Sequence, residues 1–282
     1  MGMEHGPDFV IDQPIDRYTA EDQAVWRALC ARQAQLLPGR ACKEFLDGLE
    51  GLKVVGEGIP EFARLNRALR AATGWELVAV PGLVPDNVFF EHLAHRRFPT
   101  SWWIRKHEQI DYLQEPDVFH DLYGHVPLLM NPVFADYLQA YGRGGLKAER
   151  LGELTHLARL YWYTVEFGLI RDPSGPGGLK IYGSGILSSK AESIHCLDSA
   201  SPNRVGFDLM RVMRTKYRID TFQKTYFVID GFDQLFAATL PDFRPYYERL
   251  HGLPDLGSGD LETGDTVLTA GNREGWGGTG DV

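Results

Sequence analysis

The segment Tyr161-Trp162-Tyr163-Thr164-Val165-Glu166-Phe167-Gly168 constrains the fold more than any other. Its aromatic and β-branched residues demand burial, yet they enclose one carboxylate. An ionised Glu is costly to bury alone, so a fold that takes this segment inside gives Glu166 a basic partner or a metal ion, or leaves it partly exposed. Arg159 and Arg171 are the basic residues nearest in sequence. The segment lies in the longest periodic stretch, Lys147 to Ile170. There Leu151, Leu154, Ala158, Tyr161 and Val165 form an apolar stripe at helical spacing, which reads as core.

Most of the remaining chain also reads as helix. Thr19 followed by Asp22 predicts a capped helix that carries Trp26, Leu29, Cys30 and Gln33 and stops at Pro38-Gly39. A second helix carries Phe45 and Leu49. A third starts near Pro60 with Phe62, Leu65 and Leu69 on one face, and Gly74 stops it. Glu76 to Val80 reads as a strand, Asp86 as the cap of a helix through Phe89, Phe90 and Leu93, and Ser101 to Ile104 as extended. Glu115-Pro116 opens a helix that Pro127 ends, and Asn131-Pro132 opens one that runs to Gly142. Further strands are expected at Lys180–Tyr182 and Thr225–Ile229. The fold class is therefore mainly α with a few short β-strands. Residues 1–75 are expected to form a helical part packed on a core of 76–253, as one domain, and the glycine-rich stretch 254–282 reads as a flexible tail.

Composition excludes several functions. The chain of 282 residues is 44% hydrophobic, enough to bury a large core. Its formal charge is −9, with no basic cluster to displace counterions, so nucleic acid is not an expected partner. No apolar run reaches the ~18 residues that cross a bilayer, and the N-terminus has no apolar signal region. Cys30, Cys42 and Cys196 lack the spacing of a disulfide framework or a zinc site. A protein of the cytoplasm, with no membrane partner, is expected.

Phe119-His120-Asp121-Leu122-Tyr123-Gly124-His125 holds the densest set of potential metal ligands. Histidines five apart lie about 140° around an ideal helix and about 7.5 Å along it, but Pro127 would let the second leave the helix end and swing toward the first. Imidazole serves iron, zinc, copper and nickel alike, and one core plus one surface histidine is the plain alternative. With Glu166 as third ligand the set matches the two-histidine, one-carboxylate triad of non-haem iron oxygenases.

Glu115 to Leu128, Tyr161 to Leu169, and Tyr182-Gly-Ser-Gly-Ile-Leu-Ser-Ser189 together resemble three ordered motifs of the pterin-dependent aromatic amino acid hydroxylases. The resemblance extends from about Val80 to about Phe243 and is greatest to the short bacterial phenylalanine 4-monooxygenases. It implies a single catalytic domain of that type, holding Fe(II) through His120, His125 and Glu166. It implies a substrate pocket at Arg105, Pro116, Trp162, Gly185, Ser188 and Ile219, in which the Arg105 guanidinium grips the amino acid carboxylate in two bonds. It further implies a tetrahydropterin site at Gly82, Leu83, Phe89, Asp121, Ala158 and Tyr161, with the Phe89 ring available for stacking. Pro99 and the pair Leu113-Gln114 depart from the family pattern in the animal enzymes, near the pterin and the substrate respectively.

The implied reaction consumes L-phenylalanine, O2 and a tetrahydrobiopterin-like cofactor and forms L-tyrosine; it requires no protein general base, and none is assigned. Ile219 favours a phenyl ring over a phenol, although Asp220 stands next to it. Tyrosine or tryptophan hydroxylation is the near alternative, a zinc hydrolase using the same ligands a more distant one, and a metal-free binding protein a third. Without the assembly helix of the animal enzymes, a monomer is expected.

Overall fold

The capping box read at Thr19 is present: Asp22 N donates to Thr19 Oγ1 at 3.2 Å, and Thr19 N donates back to the Asp22 carboxylate at 2.9 Å. It opens α1 (Ala20–Leu36) in the computed structural model, which describes residues 4–111, 115–277 and 280–282. Helices α2 (Lys43–Leu52) and α3 (Phe62–Ala72) follow, then β1 (Glu76–Val80), α4 (Asp86–Ala94) and β2 (Arg97–Ser101). After a π-helical segment (His120–His125) come α5 (Pro132–Leu151), α6 (Leu154–Tyr161) and a second π-helical segment (Trp162–Glu166). The chain continues through β3 (Leu169–Arg171), β4 (Leu179–Ile181), α7 (Ser184–Leu187), α8 (Lys190–Asp198), β5 (Asn203–Gly206) and α9 (Leu209–Arg214). It ends with β6 (Thr225–Ile229), α10 (Phe232–Thr239), α11 (Arg244–Leu250) and β7 (Val267–Thr269). The architecture is mainly helical with short strands.

Two sheets organise these helices. Strands β1 and β2 pair in parallel, while a larger sheet has the order β4-β3-β6-β5-β7. Its middle strand β6 is parallel to both neighbours and buried throughout, which explains the unbroken apolar run Tyr226-Phe-Val-Ile229. The N-terminal helices share the same core. Trp26 of α1 meets Phe119 edge-on at 5.6 Å, and Phe119 in turn stacks on Tyr123 at 4.9 Å.

Several boundaries differ from expectation. The extended segment is Arg97–Ser101 rather than Ser101–Ile104, because pairing with β1 decides it. Pro85, not Asp86, precedes α4. The helix read from Glu115-Pro116 starts only at Val118, and α5 continues past Gly142 to Leu151. The long periodic stretch breaks at Gly152, whose φ of +75° ends α5. Leu113 and Gln114 lie outside the described residues.

The described residues of the glycine-rich segment, read from the sequence as a flexible tail, dock on the body: β7 pairs with β5, and Val282 N donates to Tyr217 O at 2.8 Å. The reason is electrostatic. Asp255, Glu262 and Asp265 of this segment pair with Arg159, Arg214 and Arg211, which are 3%, 8% and 5% exposed. Three buried guanidiniums thus take their counter-charges from a stretch with few apolar residues.

Candidate metal and substrate site

The first π-helical segment resolves the histidine geometry. Asp117 Oδ1 accepts from the backbone N–H of His120 at 3.0 Å and starts the turn. Bonding from i to i+5 widens each turn, so the fifth residue returns to nearly the same face. His120 Nε2 and His125 Nε2 face each other at 3.0 Å, with the rings crossed at 82°. The wider turn therefore does what a swing at the helix end was expected to do.

The second π-helical segment delivers Glu166 to the same point. Its Oε1 is 3.1 Å from His125 Nε2, and its Oε2 is 3.6 Å from His120 Nε2. Neither Arg159 nor Arg171 partners it; they pair with Asp255 and Asp230. Burial alone would raise the Glu166 carboxyl, but His125, His120 and a hydrogen bond from Ser184 Oγ at 3.0 Å hold it down at about 2. Burial also depresses His120, favouring the neutral imidazole that a metal binds.

This donor set fits a metal ion. Ligands bonded at about 2.1 Å and at right angles stand about 3 Å apart, close to the observed 3.0 and 3.1 Å. Ser188 Oγ donates to Ser184 O at 2.8 Å and lies 3.0 Å from His120 Nδ1. With its own proton used, that hydroxyl accepts from Nδ1–H and leaves Nε2 free as a ligand. Asp121 has a carboxylate oxygen within 4.8 Å of both imidazoles. Its Oδ2 accepts from Ser101 N at 2.7 Å and Ser101 Oγ at 2.5 Å, whereas the two Glu166 oxygens stand 3.1 and 3.6 Å from the Nε2 atoms, so Glu166 is the better candidate for a third ligand.

A cavity of about 1070 Å³ opens beside His120 and Glu166. Every residue expected to contact the amino acid lines it: Arg105, Pro116, Trp162, Gly185, Ser188 and Ile219. Arg105 is only 7% exposed and is gripped by the fully buried Asp117, through Nε at 2.8 Å and Nη2 at 2.9 Å. Its third nitrogen, Nη1, is not used by that pair. Asp117 therefore joins the candidate substrate arginine to the turn that carries His120. Gly185 approaches the metal side closely; a Cβ there would stand 3.2 Å from Glu166 Oε2 and 2.9 Å from Phe167 Cζ. Ile219 is 61% exposed on a loop, and the neighbouring Asp220 is held by Arg218 at 2.9 Å.

The residues expected on the pterin side are less gathered. The Phe89 ring meets Tyr161 edge-on at 5.9 Å, and Tyr161 lies 6.3 Å from the His125 ring. Of this set only Tyr161 lines the large cavity. Asp121 sits beside the histidines, whereas Ala158 lies on α6 and Gly82 and Leu83 on the turn after β1. Leu83 is 72% exposed. Pro99 is buried in β2 opposite Val78.

Sequence reasoning missed Asp117, Ser184, Gln223 and Tyr217. Gln223 Oε1 accepts from Trp162 Nε1 at 2.8 Å, and Tyr217 stacks on Trp162 at 4.3 Å. Only Asp117 left a signal, as an Asp three residues before His120 in an N-capping position.

Two imidazoles and a carboxylate converging beside a roomy cavity form a candidate mononuclear metal site of the kind used by non-haem oxygenases. Across residues 7–250 the chain matches the family described as biopterin-dependent aromatic amino acid hydroxylase, and it belongs to that family. It is a pterin-dependent aromatic amino acid monooxygenase. A phenylalanine-4-hydroxylase of Ralstonia nicotianae is 68% identical over 98% of this chain and 87% of that protein. One from Chromobacterium violaceum is 66% identical over 100% and 94%. The solved iron- and phenylalanine-bound structure of the Chromobacterium violaceum phenylalanine hydroxylase superposes with a TM-score of 0.89 at 65% identity, covering 93% of this chain and 95% of that one.

Proposed function

We propose that the chain hydroxylates L-phenylalanine to L-tyrosine, using O2, Fe(II) and a tetrahydropterin, with His120, His125 and Glu166 as the metal ligands. The observation that carries this is the convergence of the two Nε2 atoms and the Glu166 carboxylate at 3.0 to 3.6 Å, on a cavity that also holds Arg105. When bound, the iron and the reduced pterin supply the activation of dioxygen that attack on an aromatic ring requires.

The chain's own residues position and exclude water. Arg105, steadied by Asp117, offers its remaining N–H groups to the substrate carboxylate. Trp162 and Pro116 wall the ring, and Ile219 presents an apolar surface at which a phenol hydroxyl finds no partner. The neighbouring Asp220 is paired with Arg218. Ser188 fixes the His120 tautomer. Phe89 and Tyr161 offer aromatic faces to a flat pterin, with Asp121, Ala158, Gly82 and Leu83 around them.

The test is product analysis with Fe(II)-loaded protein, L-phenylalanine, tetrahydropterin and O2, with Glu166→Ala as control. Tyrosine is expected only when every component and the intact triad are present. Turnover of tyrosine or tryptophan instead would move the assignment within the family, and pterin-independent hydrolysis with zinc would overturn it. We further propose a monomer, which gel filtration checks. Among the described residues no helix is long and apolar enough to cross a membrane. All three cysteines are free and buried, which supports the reducing, cytoplasmic setting we propose.

A further inference from the structure

Glu192 is a buried carboxyl on the wall of the large cavity, 7% exposed, and no lysine, arginine or histidine among the described residues forms an ion pair with it. Its two hydrogen bonds fall on one oxygen. Oε1 accepts from Tyr226 Oη at 2.5 Å and from the backbone N–H of Gln223 at 3.3 Å. A buried carboxyl without a cation is expensive. Burial pushes this one up to about 7, so near neutrality it is free of an obligatory charge.

What Glu192 holds is more informative than how it is held. Gln223 is 3% exposed and uses both ends of its amide. Its Oε1 accepts from the Trp162 indole at 2.8 Å, and its Nε2 donates to Arg218 O at 2.9 Å. Trp162 is a cavity wall stacked on Tyr217 at 18°, and Arg218 immediately precedes Ile219. One glutamine therefore ties the indole to the loop 217–223, and Glu192 with Tyr226 ties that glutamine to α8 and β6.

We propose that Glu192 is a positioning residue for substrate recognition: by fixing Gln223 it sets Trp162 and the Ile219 loop against each other. Among the described residues its hydrogen bonds go to Ser189, Gln223 and Tyr226 and not to His120, His125 or Glu166, so its effect falls on the fit of the aromatic side chain and not on the reaction at the metal. This rests on the phenylalanine reading above.

The experiment compares Glu192→Ala, Glu192→Gln and Gln223→Leu with the parent, all full-length and Fe(II)-loaded, in steady-state turnover of L-phenylalanine and L-tyrosine. Metal content is measured on the same samples. In Glu192→Ala and Gln223→Leu, KM for L-phenylalanine should rise about tenfold while kcat stays within about threefold, because losing such buried bonds costs about 1.4 kcal/mol. The preference for phenylalanine over tyrosine should fall with it. Glu192→Gln should stay within about threefold of the parent, since an amide oxygen accepts the same two bonds. Unchanged KM and preference in folded Glu192→Ala and Gln223→Leu would overturn the proposal, as would a loss of kcat in step with metal content. Should Glu192→Ala not fold, Tyr226→Phe takes its place, because it removes one of the two bonds to Glu192 while leaving the carboxyl and Gln223 unaltered. If the parent itself forms no tyrosine, the functional reading has failed, and calorimetric binding of L-phenylalanine to the same proteins still tests the positioning role.

Discussion

A single hydroxyl sets the orientation of one candidate metal ligand. Ser188 Oγ spends its proton on Ser184 O and must accept from His120 Nδ1–H, so Ser188→Ala frees the imidazole to rotate. Metal affinity should fall 10- to 100-fold, read by competition with a chelator. Ile219→Asp should lower the ratio of kcat/KM for phenylalanine over that for tyrosine by at least about tenfold, because a phenol hydroxyl gains a partner; an unchanged ratio places the specificity wall elsewhere. Glu192 gives a pH prediction. Its folded pKa of about 7 lies above the ordinary 4.5, so the stability it contributes is present below pH 4.5 and is lost as pH rises through 7. The melting temperature of the parent relative to Glu192→Gln should therefore fall between pH 5 and 7.5 and then level off. Much of the site was legible at this scale, since His120, His125 and Glu166 lie in distinctive segments. Ser184 and Gln223 were not, because each matters only through a partner brought near by folding, and Asp117 showed only its local capping position, not its hold on Arg105.

At the scale of elements, both candidate ligand segments are π-helical. The spacing of five between the histidines is compatible with one metal because of that turn, and a side-chain pattern carries little trace of a shifted backbone bond. Strands such as Glu76–Val80 and Thr225–Ile229 were readable because their apolar runs sit between turn residues, whereas Arg97–Ser101, with its proline and arginine, is a strand only through its pairing with β1. The first turn of α7 packs against the second π-helical segment with no room for a methyl group at Gly185. Gly185→Ala should thus displace Glu166, weaken metal binding at least tenfold and cost about 1–3 kcal/mol in denaturant unfolding. Retained metal affinity would show that the neighbouring Phe167 ring gives way instead.

Across the whole molecule, the segment after residue 253 acts as a set of counter-charges for buried arginines, which composition alone could not reveal. Glycine-rich polarity reads as disorder until Arg159, Arg211 and Arg214 are known to face it. Asp265→Asn leaves the buried Arg211 short of its partner and should cost about 3 kcal/mol in urea unfolding. The matched exposed pair Arg171–Asp230 should lose less than about 1 kcal/mol in Asp230→Asn. A different long-range consequence follows from Asp117, whose one carboxylate holds both Arg105 and the backbone of His120. An amino acid drawing on Arg105 and a metal drawing on His120 pull on the same group, so their binding free energies are linked. Linkage is reciprocal: whatever factor the amino acid applies to the metal's affinity, the metal must apply to the amino acid's, and Asp117→Asn should shrink both factors together.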